Sequence, residues 1–222
     1  MNSNRVLYAF IVLGAIVLLF FAISIFRDSK SSGPKFDFSG ITRPILYDES
    51  PRKGDQNPDI VIYEYGDFTC PHCLAMEPVI KQIIGKYKSK VLFVWKDFPV
   101  LSANSIQSAT AARCAGEQGK FWEYHDWLFN NQESLLNADS STYQSASRAL
   151  SLNEESFAKC LSDDKIKDLV ERDFAEGMSL GIDSTPTIVI GDVALEGERE
   201  FGEIDNVIIT ELNKIPNSNV PN

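Results

Sequence analysis

A run of β-branched and aromatic residues, "DIVIYEY" (59–65), passes through Gly66, Asp67, Phe68 and Thr69 straight into "CPHCLAMEPVIKQIIGKY". No other feature limits the fold so strongly. The first segment has the composition of a buried strand. The second carries helical spacing at Met76, Val79, Ile80, Ile83 and Ile84, with Pro78 inside it. Two cysteines, Cys70 and Cys73, therefore stand at the start of a helix directly after a strand. "KVLFVWKDF" (90–98) reads as the next strand. A strand, a helix and a second strand in this order indicate an α/β fold.

The signals from about 102 to 181 are nearly all helical. "SIQSATAARCAGEQG" stops at Gly119, and "KFWEYHDWLFNNQ" is aromatic and periodic. "STYQSASRALS" and "NEESFAKCLSD" read as two short helices, the second capped by Asn153, and "DKIKDLVERDFAEGMSLG" as a longer one. In "TPTIVIGDVALEG" strand character returns, with Gly191-Asp192 as a turn between two short strands. "EIDNVIITELNKI" closes the domain as a helix. Without the helical block a compact α/β unit remains, so the block is expected to be an insertion serving as a lid or recognition surface. His125, in "FWEYHDWLF", reads as a helix-face residue rather than a catalyst. Phe121, Trp122, Tyr124, Trp127 and Phe129 read mostly as core.

Cys-x-x-Cys at a helix start has the geometry of a redox pair. The positive end of the helix dipole and its free N–H groups favour a thiolate at Cys70. His72, between the two sulfurs, adds an imidazolium or a hydrogen-bond donor. Pro71 suits the first helical position, which needs no N–H. Cys73 lies one turn on, more buried, and is placed to resolve a mixed disulfide formed at Cys70. Two other readings stand beside this one. A zinc site wants four ligands, but the only other cysteines are 46 residues apart and the chain has two histidines. A static staple is a poor use of so small a ring.

"CPHC" after "YEYGDFT", with "TPT" far downstream, resembles the DsbA-like thiol–disulfide oxidoreductases of the thioredoxin superfamily over about residues 58–214. The resemblance implies a thioredoxin-like fold with an inserted helical domain, and Pro78 falls where the family's first active-site helix is kinked. It also implies a cis peptide at Thr185–Pro186 beside the active-site sulfur, with the Thr185 backbone left for an extended substrate, and a buried proton acceptor at Glu64, six residues before Cys70. An ordinary strand-face carboxylate is the other reading of Glu64. Cys114 and Cys160 remain. In an oxidising compartment they most simply pair as a structural disulfide, the alternative being two free buried thiols.

The 21 residues from Val6 to Phe26 carry no charge. A spanning helix needs about 20 apolar residues, and a signal peptide's apolar stretch is about 7–15. Residues 6–26 thus read as an uncleaved membrane anchor, with a signal cleaved near Ala22-Ile23-Ser24 as the second reading and a buried core helix as the third. Residues 27–57, rich in Ser, Gly, Pro and charge, read as a linker in which "ITRPILY" docks on the domain. The domain proper is expected over 58–215 and a disordered tail over 216–222. Arg5 and the α-amino group flank the run on one side and Arg27, Lys30 and Lys35 on the other, a count that by itself would keep the C-terminal part inside the cell, although large domains translocate largely regardless of charge. The cysteine chemistry favours an extracytoplasmic domain.

Lys and Arg total 21 against 31 for Asp and Glu, a net charge of −10. Such acidity excludes the basic face that a nucleic-acid partner requires. No phosphate loop, GxGxxG or HExxH occurs, and no cofactor or metal is expected. The reading is an anchored extracytoplasmic oxidase that passes a disulfide from Cys70–Cys73 to exported proteins bearing free thiols. The resemblance implies re-oxidation by a membrane partner, quinone-linked in the family. A reductase or isomerase on the same fold is the near alternative, and a metal carrier using Cys70, Cys73 and His72 the distant one.

Overall fold

The computed structural model describes residues 36–216. The expected anchor at 6–26 and all but the first residue of the expected tail lie outside them. No helix among the described residues is long and apolar enough to cross a membrane.

Five strands form one mixed sheet in the order β1-β3-β2-β4-β5. They are β1 (Arg52–Gly54), β2 (Ile60–Gly66), β3 (Val91–Asp97), β4 (Thr187–Ile190) and β5 (Val193–Glu196). β2 and β3 run parallel because helix α1 (Pro71–Lys86) carries the chain back between them. β4 pairs antiparallel with β2, and β5 with β4. The β4–β5 turn is Gly191-Asp192 as expected, and Gly191 has φ 60°, which a glycine takes without strain. The closing helix α8 (Phe201–Asn213) covers the same sheet face as α1. There Ile60 and Ile62 of β2, Met76, Ile80 and Ile83 of α1, and Ile204, Ile208 and Leu212 of α8 form one apolar cluster. The period-2 and period-3.6 patterns thus meet on one core.

Between β3 and β4 lie six helices: α2 (Ser105–Gly116), α3 (Phe121–Asn130), α4 (Gln132–Leu135), α5 (Ser140–Ala149), α6 (Glu154–Cys160) and α7 (Asp164–Ser179). The short α4 was not expected. Asn153 caps α6 by accepting from Ser156 N, and a capping box at Asp139 starts α5. The aromatic residues of α3 are mostly core, as read: Phe121, Tyr124 and Phe129 are buried, while Trp122 and Trp127 pack in half-buried positions. Their cluster also takes in Phe68, Trp95, Cys70 and Cys73. The cysteine pair therefore sits where the inserted block meets the sheet.

Within the described part of the expected linker, 36–57, "ITRPILY" docks on the domain as expected, and the residues after it are built into the fold. Arg52–Gly54 is an edge strand paired with β3, and residues 43–50 form a strap over buried charges. Fully buried Lys96 donates to Ile45 O at 2.7 Å and pairs with Glu176 at 3.0 Å. Arg113 bonds Glu49 O at 2.9 Å, Asp97 at 2.6 Å, and Asp173. Arg172 stacks on the Tyr47 ring at 3.7 Å. The backbone carbonyls of the stretch satisfy buried ions that would otherwise be costly, and composition alone made it look like a linker.

Candidate active site

The turn before α1 is built around Asp67. One carboxylate oxygen accepts from Thr69 N at 2.8 Å, an Asx turn. The other accepts from Val100 N and Leu101 N, both at 2.9 Å, and so ties down the loop after β3. Behind it, Gly66 lets the chain pass against the Trp95 ring, where a Cβ would come within 2.3 Å. Gln132 of α4 donates to the carbonyls of Phe68 (3.0 Å) and Cys70 (2.9 Å), so the inserted block grips the helix start. Cys70 is the N-cap of α1 and Pro71 its first residue.

The structure brings Cys70, Cys73, Thr185 and Pro186 together. The Thr185–Pro186 bond is cis. Cys70 Sγ donates to Thr185 O at 3.3 Å, so that carbonyl is engaged rather than free for a substrate in the reduced state. Cys73 Sγ accepts from Asp67 N at 3.5 Å. Both cysteines are free thiols and buried, Cys70 at 1% exposure.

Their acidities diverge. The Cys70 thiol is lowered to about 5, chiefly by the hydrogen bond from the Cys73 side chain, against the cost of burial. The Thr185 hydroxyl and the N–H groups of Cys73 and His72 assist. The Thr185 hydroxyl has no partner while Cys70 is a thiol, which leaves it for the thiolate. Burial pushes the Cys73 thiol well up, with the Cys70 hydrogen bond, the Glu64 charge and the Cys70 charge adding to it. Glu64, on β2, is fully buried, and neither carboxylate oxygen has a hydrogen-bond partner. Burial raises its pKa well above the usual range, and the Glu77 carboxylate adds to this. The sequence left open whether Glu64 faced water; it faces the core beneath the pair.

His72 is placed differently from the simple expectation. Its ring points outward, with 63% of the side chain exposed, and Nδ1 lies 2.5 Å from Glu198 Oε1 in the β5–α8 loop. Its backbone N–H is what bonds toward the Cys70 sulfur. His125, read as a helix-face residue, is on the inward face and fully buried. It is ringed by Phe68, Trp95, Trp122 and Phe129, with Asp126 at 3.2 Å and Glu77 at 3.5 Å. Far from the pair in sequence, Cys114 and Cys160 are joined as a disulfide between α2 and α6.

A metal set at Cys70, Cys73 and His72 finds no geometric support. Among the described residues the one group with three converging ligand atoms is Glu77, His125 and Asp126, and Lys81 already pairs with both of its carboxylates. Sequence reasoning passed over Asp67, Gln132, Glu77 and Glu198. Only Asp67 left a signal, as an Asp two residues before Thr69 at a helix start.

A reactive-pair helix after a central strand, a cis proline opening the neighbouring strand and a helical insertion define a thioredoxin-like fold of the DsbA type. Residues 48–209 match the family described as thioredoxin, and the chain belongs to that family. It is 26% identical over 96% of its length to the whole of a probable disulfide bond formation protein D of Bacillus cereus. A Na(+)/H(+) antiporter NhaA 3 of Salinispora tropica is 30% identical over 72% of the chain, which spans only 23% of that protein. The chain thus covers about a quarter of the antiporter relatives it matches. Among solved structures, Wolbachia pipientis alpha-DsbA1 superposes with a TM-score of 0.68 at 25% identity, covering 77% of this chain and 94% of that one.

Proposed function

We propose that the protein is an extracytoplasmic thiol–disulfide oxidoreductase, held to the membrane by residues 6–26, that oxidises exported proteins. The observation that carries this reading is the free pair at the helix start, with Cys70 as N-cap against Thr185 O of the cis-proline loop, a setting in which the Cys70 thiol is lowered to about 5 and the Cys73 thiol is raised. In the oxidised enzyme a substrate thiolate attacks Cys70 Sγ, and the Cys70–Cys73 bond breaks. Cys73 leaves and takes a proton, for which Glu64, a buried acid whose raised pKa favours the protonated form and whose charge acts on Cys73, is the donor. A second substrate thiolate then attacks the substrate sulfur of the mixed disulfide and expels Cys70 as a stable thiolate. The substrate loses two electrons and the pair gains them. A membrane partner, quinone-linked as in the resembling family, removes them again.

In the oxidised pair the Cys70 sulfur carries no proton to donate, so Thr185 O is free to accept from an extended substrate that adds beside β4, in the manner of strand addition. A pocket of about 650 Å³ lined by Pro71, Leu74, Phe129 and Gln132 lies next to Cys70 and suits a substrate side chain. Whatever stabilises the reduced pair makes its disulfide a stronger oxidant. Equilibrating the full chain with reduced and oxidised glutathione is the test. A potential near −180 to −120 mV supports the oxidase, while one near −270 mV, on the order of thioredoxin's, hands the case to a reductase.

A further inference from the structure

We propose that Glu198 is a positioning residue of the redox centre: it anchors the outward-pointing His72 ring beside the helix start that carries Cys70, so that His72 tunes the Cys70 thiolate. Glu198 lies 126 residues beyond His72, and its carboxylate Oε1 is 2.5 Å from the ring Nδ1. The loop that carries it is fixed at both sides of the site. Gly197 N donates to Pro186 O at 2.7 Å, and Arg199 N contacts Met76 Sδ at 3.2 Å. The carboxylate is thus presented by the same loop that braces the cis-proline, and it reaches across the cleft to the helix bearing Cys70.

Two charged groups act on the ring, Glu198 from the loop and Cys70 from its own helix, and both favour the imidazolium. The adjacent cation, Arg199, is turned away, toward Glu196 O at 2.6 Å and Glu203 at 3.6 Å. A histidine with an ordinary pKa of about 6.5 is only about a quarter charged at pH 7. Glu198 beside it favours the imidazolium, which adds a cationic neighbour for the Cys70 thiolate. Below about pH 6 the ring is protonated with or without Glu198.

This proposal rests on the redox reading of Cys70–Cys73, and the test separates the two. The full chain, Glu198→Gln, His72→Ser and the double variant are each equilibrated with glutathione at several pH values. In that exchange the protein disulfide takes two electrons from two glutathione thiols, giving the dithiol and glutathione disulfide. A parent chain that behaves as a reductant overturns the functional reading itself. With the parent an oxidant, Glu198→Gln is expected to make the pair less oxidising by about two- to fivefold in the equilibrium constant at pH 7–8, the scale of an exposed charge pair. The difference should shrink below pH 6, Glu198→Asp should restore part of it, and it should vanish in the His72→Ser background. A shift of equal size without His72, a shift toward stronger oxidation, or no shift at pH 7–8 would overturn the role assigned to Glu198.

Discussion

Consider the reduced chain titrated between pH 4 and 10. Cys70 is held at about 5 against an ordinary 9.0. A folded-state pKa below the unfolded one contributes stability that is complete above about pH 9 and lost as pH falls through 5. At pH 7 two of the four pH units are realised, roughly 3 kcal/mol in favour of the folded reduced state. The oxidised form has no such group, so the same energy appears as a potential about 60 mV more oxidising than that of an unperturbed pair. The leading cause is the Cys73 side-chain hydrogen bond. A hydrogen bond to a charged group contributes about 1.5–3 kcal/mol, so Cys73→Ala should raise the Cys70 midpoint by about 1–2 units. Thiolate absorbance against pH gives the midpoint, and urea unfolding of reduced and oxidised chains gives the stability difference. A parent midpoint near 9, or a reduced chain no more stable than the oxidised one at pH 7, would refute the reasoning.

Three other outcomes follow from the packing. Glu64→Gln removes a buried, unpartnered carboxylate with a raised pKa. It should stabilise the fold by about 1–3 kcal/mol at pH 7, with the gain fading as pH falls toward the ordinary carboxylate range, while slowing substrate oxidation in stopped-flow assays. Arg113→Met leaves buried Asp97 without its cation and Asp173 with only the longer contacts to Lys96 (3.5 Å) and Arg172 (3.8 Å), and should cost about 3–5 kcal/mol in urea unfolding. Replacing both Cys114 and Cys160 by alanine opens a loop of 46 residues. The expected loss is roughly 4 kcal/mol on the entropic account, with the Cys70 midpoint unchanged.

What the sequence determined by itself is local. The strand before the pair, Cys70 at a helix start with Pro71 at its first turn, the Gly191-Asp192 turn and the Asn153 cap depend on neighbours within a few residues, where spacing and capping chemistry act. Through its resemblance the chain also pointed to the neighbourhood of Pro186 and to Glu64. What only the tertiary structure decided is which distant groups converge. Glu198 meets His72 across 126 residues, Gln132 reaches the carbonyl of Cys70 across 62, and His125 turns into an aromatic cage instead of toward water. What the strap at 43–50 holds was hidden for the same reason. Its Pro, Arg and Glu residues have the composition of a linker, yet its backbone satisfies Lys96 and Arg113, whose burial is set by the sheet and by α7. Composition records what a segment is made of. Whether its polar atoms face water or a buried ion is settled only when the chain closes around them.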